Sequence, residues 1–186
     1  MLFRSLKDMH DGVGAHISVA MQQLQSGQSS ESEVMQTLRE SLDHLKLSID
    51  SLSIPAGDIT ALLANMRHRL RSRLQDEGLQ LKWAVGQVEP VVGLGDSEMR
   101  QLQFVVYGAL GNALQHAQAT LVTVELKAVA EGVLLRIADN GCGFDVDAAM
   151  EQSRGLRSMR DRAQAIGSKL LLHSSPEGTV VELTLH

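Results

Sequence analysis

Apolar residues in the first part of the chain recur at steps of three and four, the period of an amphipathic helix. Two stripes follow this spacing: Leu2, Leu6, Met9, Val13, Ile17, Met21 and Leu24, then Leu38, Leu42, Leu45, Ile49 and Leu52. The polar segment 26–33 separates the stripes, and Ser30 with Glu33 fits a capping box at the start of the second helix. The pattern predicts two long helices joined by a short polar turn.

These two helices make an antiparallel hairpin over residues 1–57. Alone, the hairpin has too little surface to bury both apolar stripes. A second copy would complete a four-helix bundle, so we expect a homodimer formed through residues 2–53.

A further helix is predicted over residues 58–77. Pro55 and Gly57 interrupt the preceding pattern, and Asp58 can cap the new helix. Its apolar residues fall mostly on one side and its arginines mostly on the other. The arginine side could bind phosphate or an acidic protein surface, and we favour the interpretation that it is a solvated helix face.

From Gly78 onward the spacing changes to the alternation typical of strands. Strands are predicted at 79–85, 121–126, 133–137, 169–173 and 179–185, and helices at 97–117 and 155–166. Helices beside a largely antiparallel sheet indicate a two-layer α+β domain. The predicted organisation is a hairpin at 1–57, a connecting helix at 58–77 and an α/β sandwich at 78–186.

Composition excludes several classes of protein. The chain has 17 basic and 22 acidic residues, a formal net charge of −5, which argues against direct nucleic-acid binding. The longest apolar run without charge is interrupted by amides and a histidine, so it predicts no membrane span. The single cysteine, Cys142, excludes an internal disulfide framework and fits a reducing compartment, so we expect a cytoplasmic location.

The segment from Asp139 to Phe144, Asp-Asn-Gly-Cys-Gly-Phe, directly follows an apolar strand. Gly141 and Gly143 let the backbone turn tightly and approach a ligand, and the Asp139 carboxylate can accept a hydrogen bond from an exocyclic amine. Taken alone, the segment is also a common turn signature.

Three further segments carry polar or glycine residues in suggestive places. Asn112 and His116 lie at i and i+4 on an otherwise apolar helix. Gly155 and Leu156 open a helix whose N-terminus is suited to an anion. Thr179 follows a turn into the last strand. Each feature alone has an ordinary structural explanation.

The order and spacing of the four segments together resemble the ATP-binding domain of sensor histidine kinases. This is the GHKL or Bergerat ATPase fold, shared with gyrase and a class of heat-shock chaperones. The resemblance covers roughly residues 79–186. It is strongest with the short-lid subfamily, because only ten residues separate Phe144 from Gly155.

The resemblance implies a site for ATP and Mg²⁺. Asp139 would recognise the adenine amino group, and Gly141 and Gly143 would allow the backbone to approach the nucleotide closely. Thr179 would assist in binding from the last strand. Asn112 would be the Mg²⁺ ligand, with His116 near the phosphates. The backbone amides of Gly155 and Leu156 would cradle the phosphates.

The segment Lys7–Gly14 is similar to the phosphoacceptor motif of the same subfamily, with His10 as the nucleophile and Asp11 as the carboxylate that orients it. Gly12 and Gly14 each cost a helix about 1 kcal/mol relative to alanine. Sequences break such local rules mostly where function requires it. The resemblance implies ATP-dependent autophosphorylation of His10 and phosphorelay to an aspartate in the receiver domain of a response regulator.

Four positions depart from the family pattern. Gly108 stands where a glutamate is usual, Gln115 where a basic residue is common, and Ser153 at the first glycine of the lid motif. Ala15 occupies the position of a glutamine that positions water for dephosphorylation.

A second class of function is therefore open: a nucleotide-responsive, non-catalytic dimeric interaction module. His10 with Asp11 favours the kinase, and Gly108 favours the module. A serine kinase of the anti-sigma type is disfavoured, since the long hairpin would have no purpose there. The chain's start at the acceptor helix leads us to expect either a cytoplasmic fragment whose sensor, membrane-bound or otherwise, lies upstream in a longer protein, or a chain that is simply truncated.

Overall fold

The computed structural model describes residues 54–186 continuously, together with the isolated positions 21, 34, 35, 38 and 42. The predicted hairpin, including His10 and Asp11, otherwise lies outside the described residues. Residues 54–186 form one compact unit. In the part of the chain that is described, no helix is long and apolar enough to cross a membrane.

The unit begins with helix α1, Ile59–Asp76. The Asp58 side chain accepts a hydrogen bond from the Ala61 amide at 2.8 Å, which satisfies one of the open donors of the first turn. The buried residues share one face of the helix: Ile59, Leu62, Leu63, Met66, Leu70 and Leu74. The predicted capped helix with this apolar face is confirmed.

Five strands form one sheet in the order β1-β2-β3-β5-β4. Their bounds are β1 Gln80–Val85, β2 Leu121–Val129, β3 Gly132–Asp139, β4 Leu171–Ser175 and β5 Gly178–Leu185. Strand β1 is parallel to β2, and the other pairings are antiparallel. A parallel pair requires a crossover, and the crossover here carries helix α2, Asp96–Gln115.

The core lies between one face of the sheet and the helices. Alternation along β2 and β3 buries every second residue. Helix α2 contacts both β3 and helix α4, Arg154–Ala165, while α1 contacts β1 and α2. This two-layer arrangement confirms the predicted α+β sandwich.

One element was not predicted, the short helix α3, Val146–Gln152. It buries no residue, so it has no apolar stripe from which a period could be read. Its start is local, because the Asp145 side chain accepts from the Ala148 amide at 3.0 Å. Strand β4 was also predicted two residues too early, at 169 instead of Leu171.

Candidate functional site

A cavity of about 250 Å³ opens between the end of α2, the strands β3, β4 and β5, and the segment 143–156. Six predicted site residues line it: Asn112, His116, Asp139, Gly143, Leu156 and Thr179. Its other lining residues are mostly apolar and include Ala109, Ile137, Leu172 and Val181. Gly141 and Gly155 belong to the same segments but are not in this lining. The structure therefore brings together residues from four separate stretches of sequence.

Asp139 ends β3 and is held in place by two backbone amides. Its Oδ1 accepts from Gly141 N at 2.9 Å and from Thr179 N at 3.2 Å. Both bonds use one carboxylate oxygen, so Oδ2 is the oxygen that can receive a ligand amine. The carboxylate thus has a defined orientation in a pocket of largely apolar walls, as a specific polar contact requires.

The two glycines after Asp139 are needed for contacts within the chain. Gly143 has φ +64°, and a Cβ there would collide with the Ser175 carbonyl oxygen. A Cβ on Gly141 would collide with the Ala117 carbonyl oxygen. Both glycines therefore let this loop close onto β4 and onto the segment that follows α2, which shapes the pocket before any ligand enters.

Asn140 is an anchor that sequence reasoning treated only as a turn residue. Its Oδ1 accepts from Thr120 N and Leu121 N, each at 2.9 Å, and its Nδ2 donates to Thr120 Oγ1 at 2.9 Å. These bonds tie the loop after β3 to the start of β2. Asn140 therefore fixes the position from which Asp139 faces the pocket.

Ser174 is a second residue that sequence reasoning missed. Its Oγ accepts from Phe144 N at 3.0 Å and lies 2.9 Å from Thr179 Oγ1. Ser174 and Thr179 are paired across β4 and β5, which brings the two hydroxyls to the same place. The alternation of residues along β4 and β5 was a sequence signal for the two strands. The register that pairs Ser174 with Thr179 could not be predicted from the sequence.

Asn112 lies on the last turn of α2, and His116 is the C-cap residue that follows the helix. The His116 amide donates to the Asn112 carbonyl oxygen at 2.9 Å, so one turn separates the two side chains. His116 is exposed and Asn112 half-buried, and both line the cavity. Both residues therefore border the pocket at the end of α2.

The start of α4 forms the lid side of the cavity. Ser153 is its N-cap, and the Ser153 hydroxyl accepts from Leu156 N at 3.3 Å. A serine at this position thus replaces the glycine of the family pattern with a helix cap. The Leu156 amide, predicted to cradle phosphate, already has this partner in the structure.

Arg162 holds α4 against α2. Its guanidinium lies 4.3 Å above the centre of the Phe104 ring and donates to Gln101 Oε1 at 2.7 Å. Burial lowers the pKa of Arg162 from its usual value. An arginine remains charged despite such a shift, so the stacking and the hydrogen bond both persist at neutral pH.

Comparisons with known proteins bear on the family of this domain. A family profile described as "Histidine kinase-, DNA gyrase B-, and HSP90-like ATPase" matches residues 98–186. The sensor protein VraS of Staphylococcus saprophyticus is 32% identical over 97% of this chain and 54% of its own length. The ATP binding domain of PrrB from Mycobacterium tuberculosis is 30% identical, with a TM-score of 0.53, over 69% of this chain and 93% of that domain.

The chain belongs to the sensor histidine kinases. The resemblance inferred from the four motifs is thereby confirmed. The histidine kinase domain of a blue-light activated kinase from Erythrobacter litoralis shares the fold, with a TM-score of 0.66 at 18% identity over 98% of this chain and 90% of that domain. The chain spans about half the length of the curated VraS relatives that it matches along most of its own length.

As a member of this family, the chain carries an ATP-binding domain. Apolar side chains line the walls and one oriented carboxylate is available to an amine. The described residues contain no cluster of three or more His, Cys, Asp or Glu that could hold a metal. Mg²⁺ normally takes only one or two protein oxygens beside phosphate oxygens and water, so the single Asn112 amide oxygen fits it.

Proposed function

We propose that this chain transfers the γ-phosphoryl group of ATP to His10 and then to an aspartate of a response regulator receiver domain. The observation that carries the proposal is the oriented Asp139 carboxylate. It lies in a pocket with largely apolar walls, on a chain that also has the His10–Asp11 motif. The kinase family membership supplies the reaction class.

The pocket residues bind and orient the nucleotide. Asp139 accepts the adenine amine at Oδ2, and the apolar walls exclude water from the ring. Asn112 would hold Mg²⁺ through its amide oxygen, and His116 would lie near the phosphates. When bound, Mg²⁺ would supply charge neutralisation for the phosphate oxygens.

His10 is the proposed acceptor. One nitrogen of its neutral ring attacks the γ-phosphorus, a P–N bond forms, the P–O bond to the β,γ-bridging oxygen breaks, and ADP leaves. Asp11 accepts a hydrogen bond from the other ring nitrogen and stabilises the tautomer needed for attack. A receiver aspartate oxygen then attacks the same phosphorus, the P–N bond breaks, and His10 is regenerated.

The hairpin serves as the dimerisation and phosphotransfer part over residues 1–57, joined by the connecting helix at 58–77 to the ATP-binding domain at 78–186. Support for a homodimer comes from Leu38 and Leu42, two members of the predicted apolar seam. They are 36% and 55% exposed in the single chain. Apolar side chains of a coiled-coil seam are normally buried by a partner helix.

The decisive experiment incubates the full chain with γ-labelled ATP and Mg²⁺ and measures acid-labile, base-stable label. Label on the unaltered protein that is lost in His10→Gln supports the proposal. Label that survives His10→Gln overturns the acceptor assignment. ATP affinity, measured on both proteins by calorimetry, should be equal.

The second candidate is a non-catalytic, nucleotide-responsive interaction module. The observation that favours it is Gly108, whose position against Met159 of α4 leaves no side chain where the family usually has a glutamate. Tight binding of Mg·ATP without any label on the unaltered protein would select this alternative. Binding of a receiver domain that changes with bound nucleotide would then be its activity.

A further inference from the structure

Helix α3 forms part of one wall of the pocket, although it buries no residue of its own. Ala149 of this helix lines the cavity, as do Phe144 before the helix and Ser153 after it. The helix has only seven residues, and helices shorter than about 12 residues are marginal in water without packing. Apolar burial therefore does not hold α3 in place, and its position depends on the bonds made at its two ends.

The start of α3 is anchored by two side chains. Asp145 Oδ1 accepts from Ala148 N at 3.0 Å, which caps the first turn. Ser174 Oγ accepts from Phe144 N at 3.0 Å, which ties the residue before the cap to strand β4. This end of the helix is therefore attached to the sheet.

The other end of α3 is held by Arg157, a residue of α4. Arg157 Nη1 donates to the carbonyl oxygen of Glu151 at 2.8 Å. Glu151 is the next-to-last residue of α3, and the last carbonyl groups of a helix have no partner within it. A positive charge beside these carbonyl groups is also favoured by the helix dipole. Only Ser153 separates the two helices, so the Arg157 bond spans the joint between them.

Within α4 itself, Arg157 occupies an electrostatically unfavourable position. It is the fourth residue of this helix, and a cation near a helix N-terminus opposes the helix dipole. The first turn of α4, residues 154–157, contains no acidic residue that would offset the charge. The favourable contact of Arg157 is therefore the one that it makes with α3.

Helix α4 is a firm support for this contact. Arg162 of α4 lies over the Phe104 ring of α2. Buried Met159 of α4 packs against Gly108 of α2. These contacts fasten α4 to the helix whose end borders the pocket. Arg157 thus joins α3, which has no buried residue, to a helix that is packed against the rest of the domain.

We propose that Arg157 is a positioning residue for the nucleotide: its bond to the Glu151 carbonyl holds α3 as a wall of the pocket and so slows the release of a bound nucleotide. The inference rests on the proposed ATP-dependent function. It gives a role in binding to a side chain that acts through α3 and does not itself touch the ligand.

The first measurement is amide hydrogen exchange of the nucleotide-free full chain, read by mass spectrometry. Exchange of the amides at 149–152 reports on the local opening of α3. Arg157→Ala should speed this exchange about two- to tenfold, the effect of one hydrogen bond. Exchange at 159–165 in α4 should not change. Arg157→Lys, which keeps a charge near the α3 carbonyl groups, should give an intermediate rate.

The second measurement is the dissociation rate of a fluorescent N-methylanthraniloyl derivative of ATP, followed by stopped flow with Mg²⁺ present. Arg157→Ala should release this nucleotide about two- to tenfold faster, because the wall opens more often. Thermal unfolding reports on the fold of each variant. If Arg157→Ala is unfolded, Arg157→Gln, whose side chain is shorter and uncharged, takes its place in both measurements.

Arg160→Ala is the matched control. Arg160 is an exposed arginine of the same helix, and it lies 3.7 Å from the carboxylate of its neighbour Asp161. It lies outside the cavity lining. Its removal should change neither the exchange of the α3 amides nor the release of the nucleotide.

The outcomes separate this inference from the proposed function. Faster nucleotide release with unchanged exchange in Arg157→Ala would indicate a direct phosphate contact and overturn the positioning role. Unchanged release, or α3 amides that already exchange without protection in the unaltered protein, would also overturn it. An unaltered protein that binds no nucleotide overturns the proposed function, while the exchange result, which needs no nucleotide, still decides whether Arg157 holds α3.

Discussion

Gly108 of α2 lies directly against Met159 of α4, such that a Cβ on Gly108 would be 2.9 Å from the Met159 sulfur. Met159 is buried, and the two helices that carry these residues pack together beside the pocket. The glycine at a position where the family usually has glutamate is therefore matched by a methionine that fills the adjacent space. The departure from the family pattern at Gly108 therefore has a packing partner, Met159, which lies 51 positions further along the chain.

This contact predicts a coupling between the two positions. Gly108→Glu should destabilise the protein by about 1–3 kcal/mol, since overpacking costs this much. In a Met159→Ala background the same substitution should cost less, because the colliding sulfur is gone. Urea unfolding of the four proteins of this double-mutant cycle measures the difference. Equal costs in both backgrounds would show that the contact does not govern this position.

Asp139→Asn should bind ATP at least tenfold more weakly while the fold is retained. The asparagine oxygen can still accept from Gly141 and Thr179, but its amide group then faces the adenine amine, donor against donor. The lost charge-assisted bond is worth about 1.5–3 kcal/mol. Calorimetry measures the affinity and thermal unfolding checks the fold. Unchanged affinity would mean that the nucleotide does not use this pocket.

Asn140→Ala should reduce the free energy of unfolding by about 1–3 kcal/mol, since three hydrogen bonds are lost and each, being exposed to solvent, contributes less than the upper end of the usual range of about 0.5–1.5 kcal/mol. Asn140→Asp is the matched control, because it keeps both bonds accepted from Thr120 and Leu121. Urea unfolding should rank the asparagine first, aspartate next and alanine last. An alanine variant as stable as the unaltered protein would contradict the anchoring role.

Asp11→Asn should slow the labelling of His10 by roughly 10²–10⁴-fold, the contribution of a positioned acid–base group. ATP affinity should not change. His16→Gln is the control on the same predicted helix. His16 is six residues after His10 and lies about 120° away from it around the helix axis, so the two rings face different directions. Labelling should therefore persist in His16→Gln. The initial rate of label uptake is the measurement. Normal labelling of Asp11→Asn would remove this residue from the mechanism.

The full chain should be a homodimer, and the exposed seam residues should be required for it. Leu38→Glu with Leu42→Glu places like charges on the predicted interface, so light scattering at micromolar concentration should give a monomer mass. The same double substitution should leave ATP affinity unchanged, since the pocket is formed by other residues. A monomeric unaltered protein would refute the dimer.

The sequence alone predicted the elements whose cause is local or periodic. Alternating residues in β1, β2, β3 and β5, the apolar face of α1 and its Asp58 cap were readable because each reflects the chain's own period or a contact within one turn. The spacing of the nucleotide motifs also predicted the family. Helix α3 was missed because it buries nothing that would create a period.

Tertiary structure decided why particular residues stand where they do. A side chain at Gly143 would collide with the Ser175 carbonyl oxygen. Asn140 accepts hydrogen bonds from the amides of Thr120 and Leu121. The hydroxyls of Ser174 and Thr179 form a hydrogen bond with each other. Each of these relations depends on strand register and loop closure between segments that are not joined by a shared turn or period. A hydrophobic pattern determines which face of an element is buried, but only the folded chain determines which atoms meet there, because packing and hydrogen bonding act over ångströms in space and not along the sequence.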